Sequence, residues 1–269
     1  MVQAAELIAR PNANRLLIDV RLGEPEEELL RFRECHPLGA VYAQIRDVFS
    51  GPPGPDTGNL PLPGIVALQT TLAGWRVDAQ TELVVYGPSP ALAARGWWVL
   101  RWAGIGNVRI LDGGLKAWIA EGGPVAQGNV SLRHMSGTTP PRLSEGGMRS
   151  IQATQVDALG PETIVVDARE EASYLSGHIP RAINLPASDQ WTPSGRLRPI
   201  GQIAAAYAQR GLLSGGDVVV YCGGGVLSAL EVLTLQACGV APSLYVGSWS
   251  EWCKSPQRMQ RSAEQRRVA

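Results

Sequence analysis

Short apolar runs alternate with longer helical patterns along the whole chain of 269 residues. The clearest runs read "LLIDV", "LVVY" and "VRIL" in the first half and "IVVDA", "VVVY" and "SLYV" in the second. Continuous apolar strands separated by helical segments are typical of a parallel sheet that is covered by helices on both faces. The pattern therefore predicts an α/β fold.

Four blocks of the first half recur in the second half in the same order. The matched pairs are "RLLIDVR" (15–21) with "TIVVDAR" (163–169), "CHPLGAVYA" (35–43) with "GHIPRAINL" (177–185), "ELVVYGPSPALAARGWWVLRWAGI" (82–105) with "DVVVYCGGGVLSALEVLTLQACGV" (217–240), and "VRILDGGLKAWI" (108–119) with "PSLYVGSWSEWC" (242–253). Self-similarity of this kind predicts two tandem copies of one domain.

The repeat sets the expected domain boundaries. We predict a first domain at 1–125, a linker at 126–147 that is rich in Gly, Ser, Thr and Pro, a second domain at 148–254, and a charged tail or fraying helix at 255–269. Two similar halves packed as a pseudo-dimer favour a monomer.

Composition narrows the class of protein. Apolar residues make up 45% and charged residues 18%, which suits well-packed cores, and the formal net charge is zero. This charge balance gives no support for nucleic-acid binding. No apolar run is long enough to span a bilayer and no signal-peptide core is present, so we expect a soluble, cytoplasmic protein without membrane partners.

One of the four cysteines lies where a strand ends and a helix begins. Cys222 follows "VVVY" and precedes three glycines and an apolar helical run, whereas the first copy has Gly87 at the matching position. Cys35, Cys238 and Cys253 fit neither a zinc site nor a CxxC pair, and we interpret them as non-catalytic.

The glycine loop after Cys222 suggests a chemical role. Glycines allow consecutive N–H groups to turn inward, and the helix that starts near Val226 adds unpaired N–H groups, so a thiolate there is stabilised. The alternative is a tight turn with a buried, inert cysteine. Because the first copy keeps the strand and helix with Gly87, the architecture does not need the thiol, which favours the functional interpretation.

Three segments resemble signatures of one known family. "YLSGHIPRAINL" (174–185), "YCGGGVLS" (221–228) and "YVGSWSEW" (245–252) are similar to motifs of the two-domain rhodaneses, or sulfurtransferases, and the resemblance covers nearly the whole chain. It implies two tandem rhodanese-like domains, the first catalytically silent. It also implies that the Cys222 thiolate takes a sulfur from a donor, becomes a persulfide and passes the sulfur to cyanide, a small thiol or a protein thiol.

The resemblance further implies a site without metal or organic cofactor. The expected cradle for the transferred sulfur consists of the backbone N–H groups of Gly223, Gly224, Gly225, Val226, Leu227 and Ser228. Candidates for contact with the substrate are Arg169, Arg181 and Trp249, with solvated surface as the alternative for Arg181 and core packing as the alternative for Trp249. An equally open interpretation of Arg169 is an ion pair with Asp167, Glu170 or Glu171 that shapes the loop.

The resemblance leaves the sulfur donor open between thiosulfate and 3-mercaptopyruvate. The neutral loop "CGGGVL" is nearer the mercaptopyruvate type, but Gly224 and Leu227 replace its two hydroxyl residues. Ser173 stands about where the family has a substrate-binding arginine, and "TGNLP" (57–61) lacks the histidine of mercaptopyruvate enzymes.

Other residues have simpler interpretations. His178 and His36 lie in matching turns and are predicted to be structural hydrogen-bonding groups. Four tryptophans at helical spacings are predicted to pack in the first domain or between the domains: Trp97, Trp98, Trp102 and Trp118.

Two rival functions remain to be weighed. A cysteine phosphatase of the Cys-x5-Arg type would need an arginine at position 228, where this chain has Ser228, and a phosphoryl group needs that bidentate partner. A non-catalytic rhodanese-like module that binds a protein is the remaining alternative. The reactivity of the Cys222 thiol at neutral pH separates this module from an enzyme.

Overall fold

The computed structural model describes residues 1–130 and 139–268, with side chains up to residue 264. Residues 131–138 of the predicted linker lie outside the described residues. The chain divides into two compact units, which comprise Met1–Gly51, Leu62–Met148 and Pro193–Leu197 in the first and Pro52–Pro61, Arg149–Thr192 and Arg198–Ala269 in the second. Two short segments, 52–61 and 193–197, therefore belong to the unit opposite to that of their sequence neighbours.

The described part of the first unit contains a four-stranded sheet, a two-stranded ribbon and six helices. Its strands are β1 (Arg15–Arg21), β2 (His36–Pro37), β3 (Val41–Gln44), β4 (Glu82–Tyr86), β5 (Val108–Ile110) and β6 (Val125–Ala126). Its helices are α1 (Ala4–Ala9), α2 (Pro25–Glu34), α3 (Ile45–Val48), α4 (Ile65–Gly74), α5 (Pro90–Trp102) and α6 (Gly114–Ala120). The sheet has the parallel order β3-β1-β4-β5, and β2 pairs with β6 in a separate antiparallel ribbon.

The second unit repeats this arrangement. Its strands are β7 (Ser150–Ile151), β8 (Ile164–Asp167), β9 (Ile183–Asn184), β10 (Val218–Tyr221) and β11 (Ser243–Tyr245). Its helices are α7 (Ala153–Asp157), α8 (Glu171–Ser176), the 3-10 turn Ala187–Gln190, α9 (Ile200–Ala208), α10 (Leu227–Ala237), α11 (Ser248–Trp252) and α12 (Pro256–Val268).

The two sheets have the same strand order. The second runs β7-β11-β10-β8-β9, all parallel. In the first unit Val2 forms a parallel bridge with Leu111, next to β5, at the place where β7 pairs with β11. The repeat seen in the sequence is thus a repeat of topology.

Helices cover both faces of the first sheet. Leu17 of β1 packs in a core cluster with Phe32 of α2 and Trp118 of α6. Val20 lies on the other face, where a Cβ atom on Gly96 of α5 would come within 2.8 Å of its side chain. The predicted two-faced parallel sheet is confirmed, and the four tryptophans named above are all buried.

The predicted tail forms α12, a helix that packs on the second unit. Arg258 and Arg261 form ion pairs with Asp157 of α7, and Trp252 Nε1 donates a hydrogen bond to Ser262 Oγ at 3.1 Å. Within the described ranges, no helix combines the length and apolar character that crossing a membrane requires.

Candidate active site

Cys222 directly follows β10, and its thiol lies inside the loop that leads to α10. The residue is only 1% exposed. Its Sγ accepts hydrogen bonds from the N–H of Gly225 at 3.1 Å and from Ser228 Oγ at 3.4 Å. Gly225 has a φ of 84°, a conformation that favours glycine and turns its N–H back toward the sulfur.

The start of α10 has free hydrogen-bond donors. No side chain caps this helix of 11 residues. The backbone N–H groups of Gly223, Gly224, Val226 and Leu227 have no acceptor among the residues that the structure describes. Together with the dipole of the helix, they favour negative charge beside the thiol. The sequence predicted these donors; it did not predict the hydroxyl of Ser228 as a contact of the sulfur.

A turn at residues 246–250 fixes the backbone of the cysteine loop from the other side. Ser248 Oγ accepts the N–H of Cys222 at 3.2 Å and donates to the carbonyl oxygen of Tyr245 at 2.9 Å. The N–H of Trp249 donates to the carbonyl oxygen of Cys222 at 2.9 Å, and that of Ser250 donates to Gly223 at 3.0 Å. Sequence reasoning missed Ser248, although it lies within the "YVGSWSEW" segment.

Ser248 adopts a strained conformation. Its φ is 55°, in the left-handed region that residues other than glycine seldom adopt. Such strain persists where surrounding contacts enforce it, and here the two hydrogen bonds of the hydroxyl do so.

A buried ion pair supports the strand that carries the cysteine. Arg169 Nε and Nη2 donate to the Asp167 carboxylate at 2.9 and 2.6 Å, and Tyr221 OH donates to Asp167 Oδ2 at 2.6 Å. Burial opposes the charge of Arg169, but the hydrogen bonds and charge of Asp167 raise the pKa of its guanidinium. Of the two interpretations of Arg169, the structure shows the ion pair with Asp167.

Arg169 also contacts the 246–250 turn, through the aromatic ring of Trp249. The Arg169 Cζ atom lies 4.8 Å from the centroid of the Trp249 ring, a distance suited to a cation–π contact. Trp249 is half-buried. The geometry therefore brings Arg169 and Trp249 into contact with each other beside the turn that bonds to the Cys222 loop.

The rhodanese-like domain model matches the chain twice, over residues 3–121 and 152–255. The chain belongs to the rhodanese family. This result and the two matching units confirm the predicted family and the predicted α/β fold.

Relatives of this rhodanese cover nearly its whole length. A Mycobacterium tuberculosis protein provisionally named thiosulfate sulfurtransferase is 36% identical and covers 96% of this chain and 95% of its own. A Pseudomonas aeruginosa protein provisionally named 3-mercaptopyruvate sulfurtransferase is 34% identical over 96% of both chains. The crystal structure of SseA from Escherichia coli, titled as that of a 3-mercaptopyruvate sulfotransferase, has a TM-score of 0.74 and 28% identity over 93% of this chain and 98% of its own.

Arg181 lies away from the cysteine in the rhodanese domain. Its guanidinium donates to the carbonyl oxygen of Gly160 at 2.9 Å. Gly160 precedes β8 and Arg181 precedes β9, whereas Cys222 follows β10 in the same parallel sheet. Arg181 thus lies at the amino-terminal ends of the strands, whereas Cys222 lies at their carboxyl-terminal ends. The structure does not bring Arg181 to the thiol.

The two histidines have equivalent structural contacts. The Nδ1 atom of His178 lies 3.0 Å from the carbonyl oxygen of Tyr174, and that of His36 lies 3.0 Å from Phe32 O. Each imidazole also stacks on the aromatic ring of the residue whose carbonyl it contacts. The ring centroids are 3.9 Å apart for His178 and Tyr174 and 4.2 Å apart for His36 and Phe32. Because a carbonyl only accepts, Nδ1 carries the proton in both. The predicted structural role is confirmed.

Among the described residues, the remaining cysteines have no contact that points to catalysis. Cys35 and Cys238 are half-buried and Cys253 is exposed. Burial raises the pKa of Cys238 and of Cys253, the latter partly offset by Arg169. Neither thiol has the donors that surround Cys222.

Proposed function

We propose that this rhodanese-type sulfurtransferase carries the transferred sulfur as a persulfide on Cys222. The observation that supports the proposal is the position of Sγ, which accepts the Gly225 N–H at 3.1 Å beside four further N–H groups that have no acceptor within residues 1–130 and 139–268. A sulfur atom attached to Sγ extends the negative charge by one bond. The free N–H groups of Gly223, Gly224, Val226 and Leu227 are the donors expected to stabilise it.

With thiosulfate as donor, the reaction is a nucleophilic displacement at sulfur. The Cys222 thiolate attacks the outer sulfur and forms a new S–S bond. The S–S bond of thiosulfate breaks, and sulfite leaves with its electron pair. The enzyme is left as a Cys222 persulfide anion, so charge and electrons balance without a redox partner.

With 3-mercaptopyruvate as donor, the same attack breaks a C–S bond. The electron pair leaves with carbon as the enolate of pyruvate, and the proton of the donor thiol then moves to that carbon. In both cases an acceptor nucleophile, such as cyanide or a thiol, attacks the outer sulfur and releases the Cys222 thiolate. The relatives carry names of both types, so the proposal includes both donors.

Arg169 and Trp249 take supporting roles in this proposal. They hold Asp167, Tyr221 and the 246–250 turn in place and act on the reaction through the backbone of Cys222. The monomeric state and the cytoplasmic location expected from the sequence remain part of the same proposal.

The decisive test is the intact mass of the protein after brief incubation with thiosulfate and, separately, with 3-mercaptopyruvate. We expect a gain of one sulfur atom in the wild type and none in Cys222→Ser. The donor that loads the enzyme faster identifies the donor class. If neither donor adds mass to the wild type, sulfur transfer through Cys222 is wrong.

One observation favours the alternative of a non-catalytic binding module, namely that Cys222 is only 1% exposed. A module predicts a thiol that resists iodoacetamide under native conditions. An enzyme predicts that Cys222 is alkylated at neutral pH and protected once it carries a sulfur. Peptide mapping after alkylation separates the two functions.

A further inference from the structure

A cavity of about 420 Å³ opens at the carboxyl-terminal ends of strands in the first sheet. Its wall includes Arg21 at the end of β1, Tyr86 at the end of β4, and Leu115 of α6. All of its lining residues belong to the first unit, so the cavity is separate from the loop of Cys222 in the second. Its volume lies in the range that is typical of small-molecule sites.

The two units fill one matching position of this region differently. In the repeat, Leu115 aligns with Trp249, whose ring lies over the Arg169 guanidinium with 4.8 Å between Cζ and the ring centroid. Arg21 pairs with a carboxylate in the same way as Arg169. However, no aromatic ring of the described residues lies over Arg21, because leucine is smaller than tryptophan and is not planar. The guanidinium of Arg21 therefore borders the cavity where its counterpart borders a ring.

The wall of the cavity also contains a buried hydroxyl group that lacks a partner. Tyr221 OH accepts the N–H of Ile179 at 3.0 Å, whereas the matching residue in the first unit is Pro37, which has no N–H. Tyr86 is 1% exposed, and its hydroxyl makes no hydrogen bond to any described residue. Burial and nearby Asp19 raise the pKa of Tyr86 well above its ordinary value, so the hydroxyl keeps its proton. Because buried polar groups are normally paired, this hydroxyl is available to a molecule in the cavity.

The mouth of the cavity has a positive charge that is not neutralised. Lys116 and Arg31 are the exposed cations of the lining. Lys116 has no ion-pair partner in the part of the chain that the structure describes. The carboxylates of the lining, Asp19 and Glu28, both pair with Arg21. The mouth therefore favours an anionic group.

We propose that this cavity binds a small planar aromatic molecule that carries an anionic group. The ring takes the place that Trp249 occupies in the second unit and stacks on the guanidinium of Arg21. The anionic group lies at the mouth beside Lys116, and the Tyr86 hydroxyl hydrogen-bonds to a polar atom of the molecule. Aromatic carboxylates have this chemistry. The inference does not depend on sulfur transfer at Cys222.

The test uses indole-3-acetate as the probe and indole as its neutral analogue, and calorimetric titration measures their dissociation constants. We expect the wild type to bind one indole-3-acetate per chain with a dissociation constant below about 1 mM. Lys116→Glu should raise this constant about tenfold and leave that of indole within about twofold, because only the acetate group meets the reversed charge.

Leu115→Trp fills the cavity with the side chain that the second unit has at this position. Both probes should bind at least about tenfold more weakly, while the melting temperature should not fall, because the new ring packs on Arg21. Leu30→Trp is the matched control. Leu30 is 58% exposed on α2 and does not line the cavity, so this variant should bind both probes as the wild type does.

Three results would contradict the inference. The first is a wild type that shows no saturable binding of indole-3-acetate up to about 5 mM. The second is equal affinity in the wild type and a folded Leu115→Trp, since the probe would then bind elsewhere. The third is Lys116→Glu weakening both probes alike, which would mean that the mouth does not recognise the anionic group. The Lys116→Glu comparison also decides the question if Leu115→Trp does not fold.

Discussion

The strand-to-helix junctions at residues 86–92 and 221–227 share one frame and differ in one loop. Each strand ends in a buried tyrosine, Tyr86 or Tyr221, beside a buried Asp-x-Arg pair. In the first unit Arg21 pairs with both Asp19 and Glu28. The pair is therefore common to both units, and the two junctions differ in the loop that follows the strand.

The first junction lacks both the thiol and the cradle. Pro88 and Pro90 have no N–H, and Ser89 Oγ accepts the N–H of Leu92 as a helix cap at 3.5 Å. In the second junction no side chain of the described residues caps α10, so the donors at its start have no acceptor there. The backbone of Gly87 is also closely packed, since a Cβ atom there would lie 2.4 Å from the carbonyl oxygen of Val20. The first unit therefore lacks the cysteine, and it also lacks the space that a cysteine side chain would need at position 87.

The largest effect on sulfur transfer is expected when the cysteine is moved from position 222 to the matching position of the first unit. Gly87→Cys in a Cys222→Ser background should leave sulfur transfer at least about 1000-fold below the wild type, because a single missing nucleophile costs at least that much. It should also lower the melting temperature, since the new side chain displaces the backbone of β1. Persulfide mass and thermal unfolding measure the two effects. A double variant that takes up sulfur on residue 87 would show that the junctions differ only in the thiol.

A second contrast lies further along the two helices, where α10 has a buried carboxyl group. Glu231 of α10 is fully buried and hydrogen-bonds to Gln190, which also contacts Tyr207 and Thr234. The matching residue of α5 is Gly96. Burial raises the pKa of Glu231 to about 8, although the hydrogen bonds with Tyr207 and Gln190 oppose the rise.

This raised pKa makes stability depend on pH. The folded protein holds the Glu231 proton more tightly than the unfolded chain, where the pKa is near 4.5. The contribution of Glu231 to the free energy of unfolding is therefore greatest below about pH 4.5, and it falls by up to about 1.4 kcal/mol per pH unit as the pH rises to about 8. Glu231→Gln mimics the protonated acid and should remove this loss.

The measurement is the melting temperature of wild type and Glu231→Gln at a series of pH values from about 4 to about 9, a range that spans both pKa values. The melting temperature of the variant should rise relative to that of the wild type with each step up to about pH 8. Above that pH the difference between the two melting temperatures should stay constant. Parallel curves for the two proteins would mean that Glu231 does not titrate in this range.

Much of this comparison was visible in the sequence, and the reasons are local. Strands, repeat order and the Cys222 junction follow from apolar runs and glycines that act within a few residues of chain. The packing of residues 52–61 and the role of Ser248 were missed because they depend on contacts between distant segments, such as Gly58 with Gly247 and Cys222 with Ser248. Arg181 was a candidate for substrate contact beside the alternative of solvated surface, and its position before β9 puts it at the amino-terminal ends of the parallel strands.

A smaller effect is expected at Ser248. The first copy has Gly114 at the matching position, with the same φ of 55°. Ser248→Gly keeps this backbone conformation and removes the hydroxyl, which accepts the Cys222 N–H and donates to the carbonyl oxygen of Tyr245. We expect kcat/KM to fall about tenfold, because the aligned nucleophile loses a support of its backbone, while the relief of backbone strain offsets part of the stability lost with the two hydrogen bonds. Ser248→Ala should lose the same activity and also about 1 kcal/mol of stability, since alanine is strained at positive φ. Equal melting temperatures for the two variants would contradict the strain.

The smallest effect is expected at Ser228, whose counterpart in the first unit is Ala93. Its hydroxyl lies 3.4 Å from Cys222 Sγ, farther than the Gly225 N–H at 3.1 Å, and the backbone donors are untouched by substitution. Ser228→Ala should therefore reduce the rate of persulfide formation only about threefold to fivefold, as expected for one weak hydrogen bond to a thiolate. Single-turnover mass measurements resolve a change of this size, with Ser250→Ala as a control, because the Ser250 hydroxyl bonds to Asn59 and Gly247 and not to the sulfur. A loss for Ser228→Ala that approached that of Cys222→Ser would mean that the hydroxyl, and not the backbone cradle, supplies most of the stabilisation at the sulfur.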